Sequence, residues 1–240
     1  MDRISAPPAS SSLLEGLSKL GSAIVGLSAF AYIAGYVKLI AMYNAVNAGW
    51  LLDFVITQDI IRAGLEPLAM VGVTGAASAY ILLSRNWTIA KIVTFILITV
   101  ALTYAKLIPS GEWSADWTTS YKFSRFISHA LYLISGVLIA YCVVATTKNK
   151  RLSKKSAACF VIGATISLYI TPTYLGQVWA KSITSSENRL PKVIGEQYKG
   201  ETCYLLGNVN SKYAIGCVVS AKVGRVQLIE VGKDVAFVPE

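Results

Sequence analysis

FISHALYLISGVLIAYCVVATT (126–147), KNKRLSKK (148–155) and AACFVIGATISLYITPTYLGQVWA (157–180) decide how the chain is read. Two long apolar blocks enclose a loop in which five of eight residues are Lys or Arg. About 20 apolar residues are needed to cross the hydrocarbon layer, and each block meets that length. Basic residues concentrated in a short loop between such blocks mark its cytoplasmic face. Pro172 falls inside the second block, which membrane helices tolerate when neighbours satisfy the freed backbone.

Working outward, three more blocks of the same kind precede these, at 20–43, 65–83 and 89–108. Lys38 is the one charge inside the first and has a stem long enough to snorkel to the headgroups. Tyr43, Trp87, Tyr121 and Trp179 stand near block ends, where an aromatic belt is expected. The composition agrees. The 240 residues are 54% hydrophobic and only 15% charged, against about 25% charged in ordinary soluble domains. The mean hydropathy is +0.54. The net charge of +9 is read as orientation and attraction to anionic headgroups. No basic face interleaved with aromatics is present to favour nucleic acid. The chain therefore reads as an α-helical polytopic bundle of about five spans over 20–180, preceded by a polar segment, 1–19. Ala29-Phe30-Ala31 fits a signal-cleavage pattern, but the long, weakly basic stretch before it favours an uncleaved first span.

With five spans, the N-terminus, the 84–91 turn and the 148–155 loop share one side and carry nine Lys or Arg; the short opposite loops carry five. The positive-inside rule then puts the 148–155 loop in the cytoplasm and the C-terminus outside. The expected location is a plasma membrane of bacterial type.

The connection 44–64 is too apolar to be a plain loop. Thr57 is placed to cap a short helix, QDIIRA, that ends at Gly64, with Asp59 and Arg62 three apart on its surface. An interfacial helix packed on the bundle is expected there. At the other end of the chain, Ser12 and Glu15 have capping-box spacing.

From about residue 190 the long blocks give way to short β-like runs: 192–196, 201–206, 212–219, 223–231 and 234–238, with a turn at 207–211. They predict a small all-β domain over 190–240, a four- or five-stranded meander or barrel. About fifty residues is small for an independent core, so support from the bundle, a sister subunit or a disulfide is expected. Cys203 and Cys217 lie on the two arms of the 201–219 hairpin. A turn near Val209 places Cys203 opposite residue 215, so a bulge or longer turn is needed to pair the cysteines. Cys142 and Cys159 lie in apolar blocks and read as small hydrophobes.

Candidate chemistry is sparse. His129, the only histidine, stands near the start of the fourth block; Asp53, Asp59 and Glu66 gather in or beside the first long connection. Their spacing fits no metal motif, Asp59 has Arg62 as a ready ion-pair partner, and no cofactor is implied. Mid-block carboxylates, the mark of ion-coupled transport, are nearly absent. Small residues recur at four-residue spacing in Ser22/Gly26, Ala31/Gly35, Gly72/Ala76 and Gly75/Ala79. They suit close helix packing within the chain or self-association. The leading expectation is a membrane-anchored sensing or interaction protein that presents its C-terminal β module to a protein partner or ligand. By architectural analogy alone, the plan would fit a membrane sensor of a bacterial defence or immunity system. The alternatives are an oligomeric channel or small-solute permease, and a membrane enzyme using His129 with a carboxylate.

Overall fold

The computed structural model describes residues 9–83, 121–183, 190–219, 222–230 and 236–238. Helices α1 (Ala9–Ala45), α2 (Thr57–Leu83), α3 (Tyr121–Asn149), α4 (Lys154–Thr165) and α5 (Thr171–Ile183) are followed by five strands. These are β1 (Lys192–Ile194), β2 (Thr202–Val209), β3 (Lys212–Val219), β4 (Lys222–Glu230) and β5 (Ala236–Val238). Among the described residues, four stretches are long and apolar enough to cross a membrane: Leu20–Ala45, Thr57–Leu83, Phe126–Asn149 and Lys154–Ala180. They match four of the expected blocks; the expected span 89–108 lies outside the described residues. Their outer faces stay apolar. Val25, Val73, Val161 and Tyr169 are each more than 60% exposed, a pattern a water-facing monomer rarely shows.

Three of the expected boundaries differ. α1 starts at Ala9, ahead of the Ser12 capping box. Between α1 and α2, residues Gly49–Phe54 form a 3-10 turn rather than an α-helix. The short helix expected to end at Gly64 is the opening of α2, which runs unbroken to Leu83. It begins one residue after Ile56, whose carbonyl accepts from the Asp59 and Ile60 amides, so Thr57 is the first helical residue rather than the cap. Gly64 is needed for contact instead of termination. A Cβ there would come within 1.8 Å of the Ala31 carbonyl oxygen, and one at Gly35 within 1.9 Å of the Ile60 oxygen. The two helices thus cross backbone to backbone, as small residues permit.

The helix directions follow from such contacts. Ala31 meets Gly64 and Gly35 meets Ile60, so α1 and α2 are antiparallel. Glu66 approaches His129, Gly75 faces Gly136, and the Lys148 ammonium donates to the Leu82 carbonyl, so α2 and α3 are parallel. Residues 83 and 121 therefore lie at opposite ends of the bundle. Gly176 of α5 sits against Lys38, Ala41 and Met42 of α1. The last apolar stretch is not one α-helix. A π turn at Ile166–Ile170 joins α4 to α5 just before Pro172, whose missing N–H would interrupt an α ladder there. The Ser135 and Ser167 hydroxyls both donate to the Gly163 carbonyl, at 2.6 and 2.9 Å, which ties α3 to this segment.

The C-terminal strands form one antiparallel sheet of order β4-β3-β2-β1-β5. β1 to β4 follow as a meander, but β5 returns to the far edge and pairs with β1. The hairpin turn is tighter than the expected 207–211. Val209 pairs with Lys212, and only Asn210 and Ser211 intervene, both at positive φ. That is the two-residue turn matching strand twist. Pairing slips by one between Leu205 and Gly207, leaving Leu206 as a bulge, and Cys203 falls directly opposite Cys217. The two sulfurs are bonded, with Cα atoms 4.0 Å apart.

The bulge also resets which face each side chain takes. Cys203 and Leu205 join Val193, Tyr198, Ile215 and Cys217 in a core on the sheet's outer face, where Tyr213 stacks edge-on against Phe237. Burial holds the Tyr198 phenol above the usual tyrosine range, and its oxygen accepts from the Gln227 amide. Leu206 and Val209, with Ala214, enter the other core, together with Tyr43, Val46 and Leu51 near the α1–α2 junction and Ala180 and Ile183 of α5. The sheet therefore sits on the end of the bundle where α1 and α5 finish and α2 begins. The basic loop is at the opposite end, beside Leu82.

Candidate functional site

Two arrangements of polar side chains stand out, and both are centred on α2. Asp59, Arg62 and Glu66 recur at helical spacing on one face of it. The structure divides them between two settings.

Deeper in the bundle, Glu66 lies nine residues into α2, roughly 13 Å along its axis. One carboxylate oxygen accepts from the Lys38 ammonium of α1 at 3.0 Å. The other is 4.0 Å from His129 Nε2 of α3, a side chain only 3% exposed. Tyr132, one turn on from His129, is fully buried, and its hydroxyl has no hydrogen-bond partner among the described residues. Lys38 is thus an ion-pair partner rather than a residue reaching for headgroups. The cluster brings His129 and Glu66 together as the enzyme alternative requires. That alternative asks for hydrogen-bond reach, and the 4.0 Å separation is wider than a direct hydrogen bond. Through Lys38, Glu66 and His129 the cluster joins α1, α2 and α3.

The second setting is a cleft of about 430 Å³ between the end of the bundle and the β2–β3 hairpin. Leu39, Met42 and Tyr43 contribute from α1, Val55 and Ile56 from the residues just before α2, and Asp59, Arg62 and Ala63 from its first turns. Residues Leu206 to Ser211 close it from the sheet. Asp59 and Arg62 both line it. The expected ion pair between them is not formed: among the described residues neither side chain has an oppositely charged atom within 4.0 Å. One turn of helix puts the two on the same face, but the charges stay separate across the cleft wall. Tyr43 lines the same cavity. Asp53 stands exposed on the 3-10 turn and lines neither setting.

The carboxylates therefore do not form one site. Asp53 faces solvent, Asp59 borders the cleft and Glu66 belongs to the buried network. The sequence offered Lys38 only as a snorkelling residue, although its position in the half of α1 nearest Glu66 was a usable hint. Tyr132, Asn208 and Asn210 carried no signal, since their roles depend on α3 and the hairpin meeting α2. Glu201 lies 3.8 Å from the Cys203 sulfur, beside Cys217. The two sulfurs are bonded to each other, so they offer no thiolate to a metal. Compared with protein-family models, with curated proteins and with solved structures, the chain finds no match.

Proposed function

We propose that this is an integral membrane protein that holds its C-terminal sheet at the membrane surface as a binding and sensing module. The observation that carries the proposal is the cleft, whose walls come from two parts of the fold: the outer ends of α1 and α2, and the β2–β3 hairpin. A ligand there touches both at once, so its binding free energy bears on how firmly the sheet is seated on the helices. The cavity is within the size range of small-molecule sites, and polar and apolar groups line it in similar measure. Apolar outer faces on four long helices support residence in lipid. The basic 148–155 loop supports an orientation with that loop in the cytoplasm and the sheet outside, where a disulfide persists.

Photocrosslinking in cells tests the reading. A photoreactive side chain at Asn208, exposed on the cleft rim, is expected to give a defined light-dependent adduct. The same group at Thr202, exposed at the far end of β2, is expected to give none. Equal labelling at the two positions, or no adduct at Asn208, refutes a ligand site in the cleft.

A further inference from the structure

We infer that the cleft recognises a phosphate–ammonium zwitterion, the headgroup chemistry of an ethanolamine phospholipid. The inference rests on the cleft being the ligand site and adds what that ligand is. Asp59 and Arg62 line one wall, one turn apart on α2, and are not paired with each other. A simple anion drawn to Arg62 would meet the Asp59 carboxylate, and a simple cation drawn to Asp59 would meet the guanidinium. Each costs repulsion, which grows as the ligand displaces water from beside half-buried Asp59 and exposed Arg62. A ligand carrying both signs, a short linker apart, meets both residues and leaves the cleft neutral. Guanidinium suits phosphate by its forked donors, and carboxylate suits a primary ammonium, whose N–H groups it accepts.

Place and size point to the same class. The cleft lies where α1 ends and α2 begins, at the edge of two stretches long enough to span the hydrocarbon layer. Leu39, Met42, Val55 and Ile56 make an apolar wall beside the two charges. The volume of about 430 Å³ exceeds what a small inorganic ion needs and accommodates a headgroup with its glycerol. Asn208, Asn210 and Ser211 on the opposite wall add amide and hydroxyl groups suited to phosphate and ester oxygens. A free phosphoethanolamine group shares this chemistry with the lipid.

The experiment uses the full chain in detergent, with binding followed by the ligand-induced rise in its thermal unfolding midpoint. The probes are dihexanoyl phosphatidylethanolamine, free phosphoethanolamine, and dihexanoyl phosphatidylglycerol, which lacks the ammonium. The ethanolamine lipid is expected to bind at least about tenfold more tightly than the glycerol lipid. Arg62→Gln and Asp59→Asn are each expected to weaken it about tenfold. Free phosphoethanolamine binding as well as the lipid identifies a soluble ligand, and binding by the lipid alone identifies the bilayer as the source; both support the chemistry. Equal affinity for the two lipids in the unmodified protein overturns the inference, as does retention of affinity in both variants. An adduct at Asn208 containing no phosphoethanolamine would likewise overturn it, while leaving the cleft a ligand site.

Discussion

Gly64→Ala adds one methyl group where α1 and α2 cross. The added Cβ would lie 1.8 Å from the Ala31 carbonyl oxygen and 2.6 Å from its carbon. A relaxed carbon–oxygen contact is about 3.3–3.6 Å, so the helices must part locally by about 1.5 Å or more. Both clashing groups are backbone, and no rotamer change relieves them. Overpacking of this kind costs about 1–3 kcal/mol, and the rigid partner puts the cost near the upper end. The separation also loosens Gly35 against Ile60 on the same crossing and disturbs the wall of the cleft behind Leu39 and Ala63. Gly72→Ala is the internal control: it changes the same helix by the same methyl, and among the described residues nothing lies within 4 Å of the added Cβ. Helix propensity alone makes that change neutral or favourable by up to about 1 kcal/mol. Unfolding of the purified protein in mixed detergent micelles, followed by circular dichroism, should separate the two variants by about 2–4 kcal/mol. Equal stability of Gly64→Ala and Gly72→Ala would refute the backbone-to-backbone crossing.

Other outcomes follow from named contacts. Alkylation without reductant, followed by mass measurement, should modify Cys142 and Cys159 alone. Replacing Cys203 and Cys217 by Ala should cost about 3 kcal/mol for the loop they close, and free thiols at both positions would remove the cross-link. Glu66→Gln leaves the Lys38 ammonium without its carboxylate and should destabilise by about 1.5–3 kcal/mol, whereas Glu66→Leu with Lys38→Met should cost less than the single change. The single and double variants unfolding alike would show that the pair is uncoupled. Because α2 and α3 are parallel, topology reporters placed after Leu83 and before Tyr121 should report opposite sides of the membrane, with the reporter at Ser153 sharing the side of Leu83. A same-side result would contradict that direction.

Block length and charge breaks made four long helices legible in the sequence, because lipid imposes one length and one composition on every span. The strands were legible too, apart from the pairing of β5. Alternation shows where a strand lies but not which edge accepts it. What stayed hidden depended on which small residues meet a neighbour. Four small-residue pairs looked equivalent. In the structure Ala31 and Gly35 pack against α2, a Cβ at Gly75 would stand 3.6 Å from the Gly136 oxygen in ordinary contact, and among the described residues a Cβ at Gly26 or Gly72 would meet nothing within 4 Å. Gly64 resembled a helix end because glycine serves both purposes, and only the position of Ala31 decides between them. The same limit hid the candidate sites. Asp59 and Arg62 look like an ion pair from their spacing, and it is the hairpin above them that makes their separation part of a cleft.

The hairpin reaches that position through one unpaired residue. Strand alternation alone would put Leu206 and Val209 on opposite faces, since they are three apart. The bulge at Leu206 removes one step of alternation, and both side chains enter the core shared with α1 and α5. Residues before the bulge keep the parity that buries Cys203 and Leu205 on the outer face with Cys217 and Ile215. A single irregularity thus gives the strand two tasks: its first half holds the sheet's own core and disulfide, and its second half seats the hairpin on the helices. Deleting Leu206 would join Leu205 to Gly207 in one continuous ladder with β3, leaving Cys203 opposite Cys217 and Val209 facing the helices. The expected product keeps the disulfide and loses only the Leu206 side chain from the shared core, a destabilisation of about 2–5 kcal/mol by unfolding in detergent followed by circular dichroism; unchanged stability would show that Leu206 does not help to seat the hairpin.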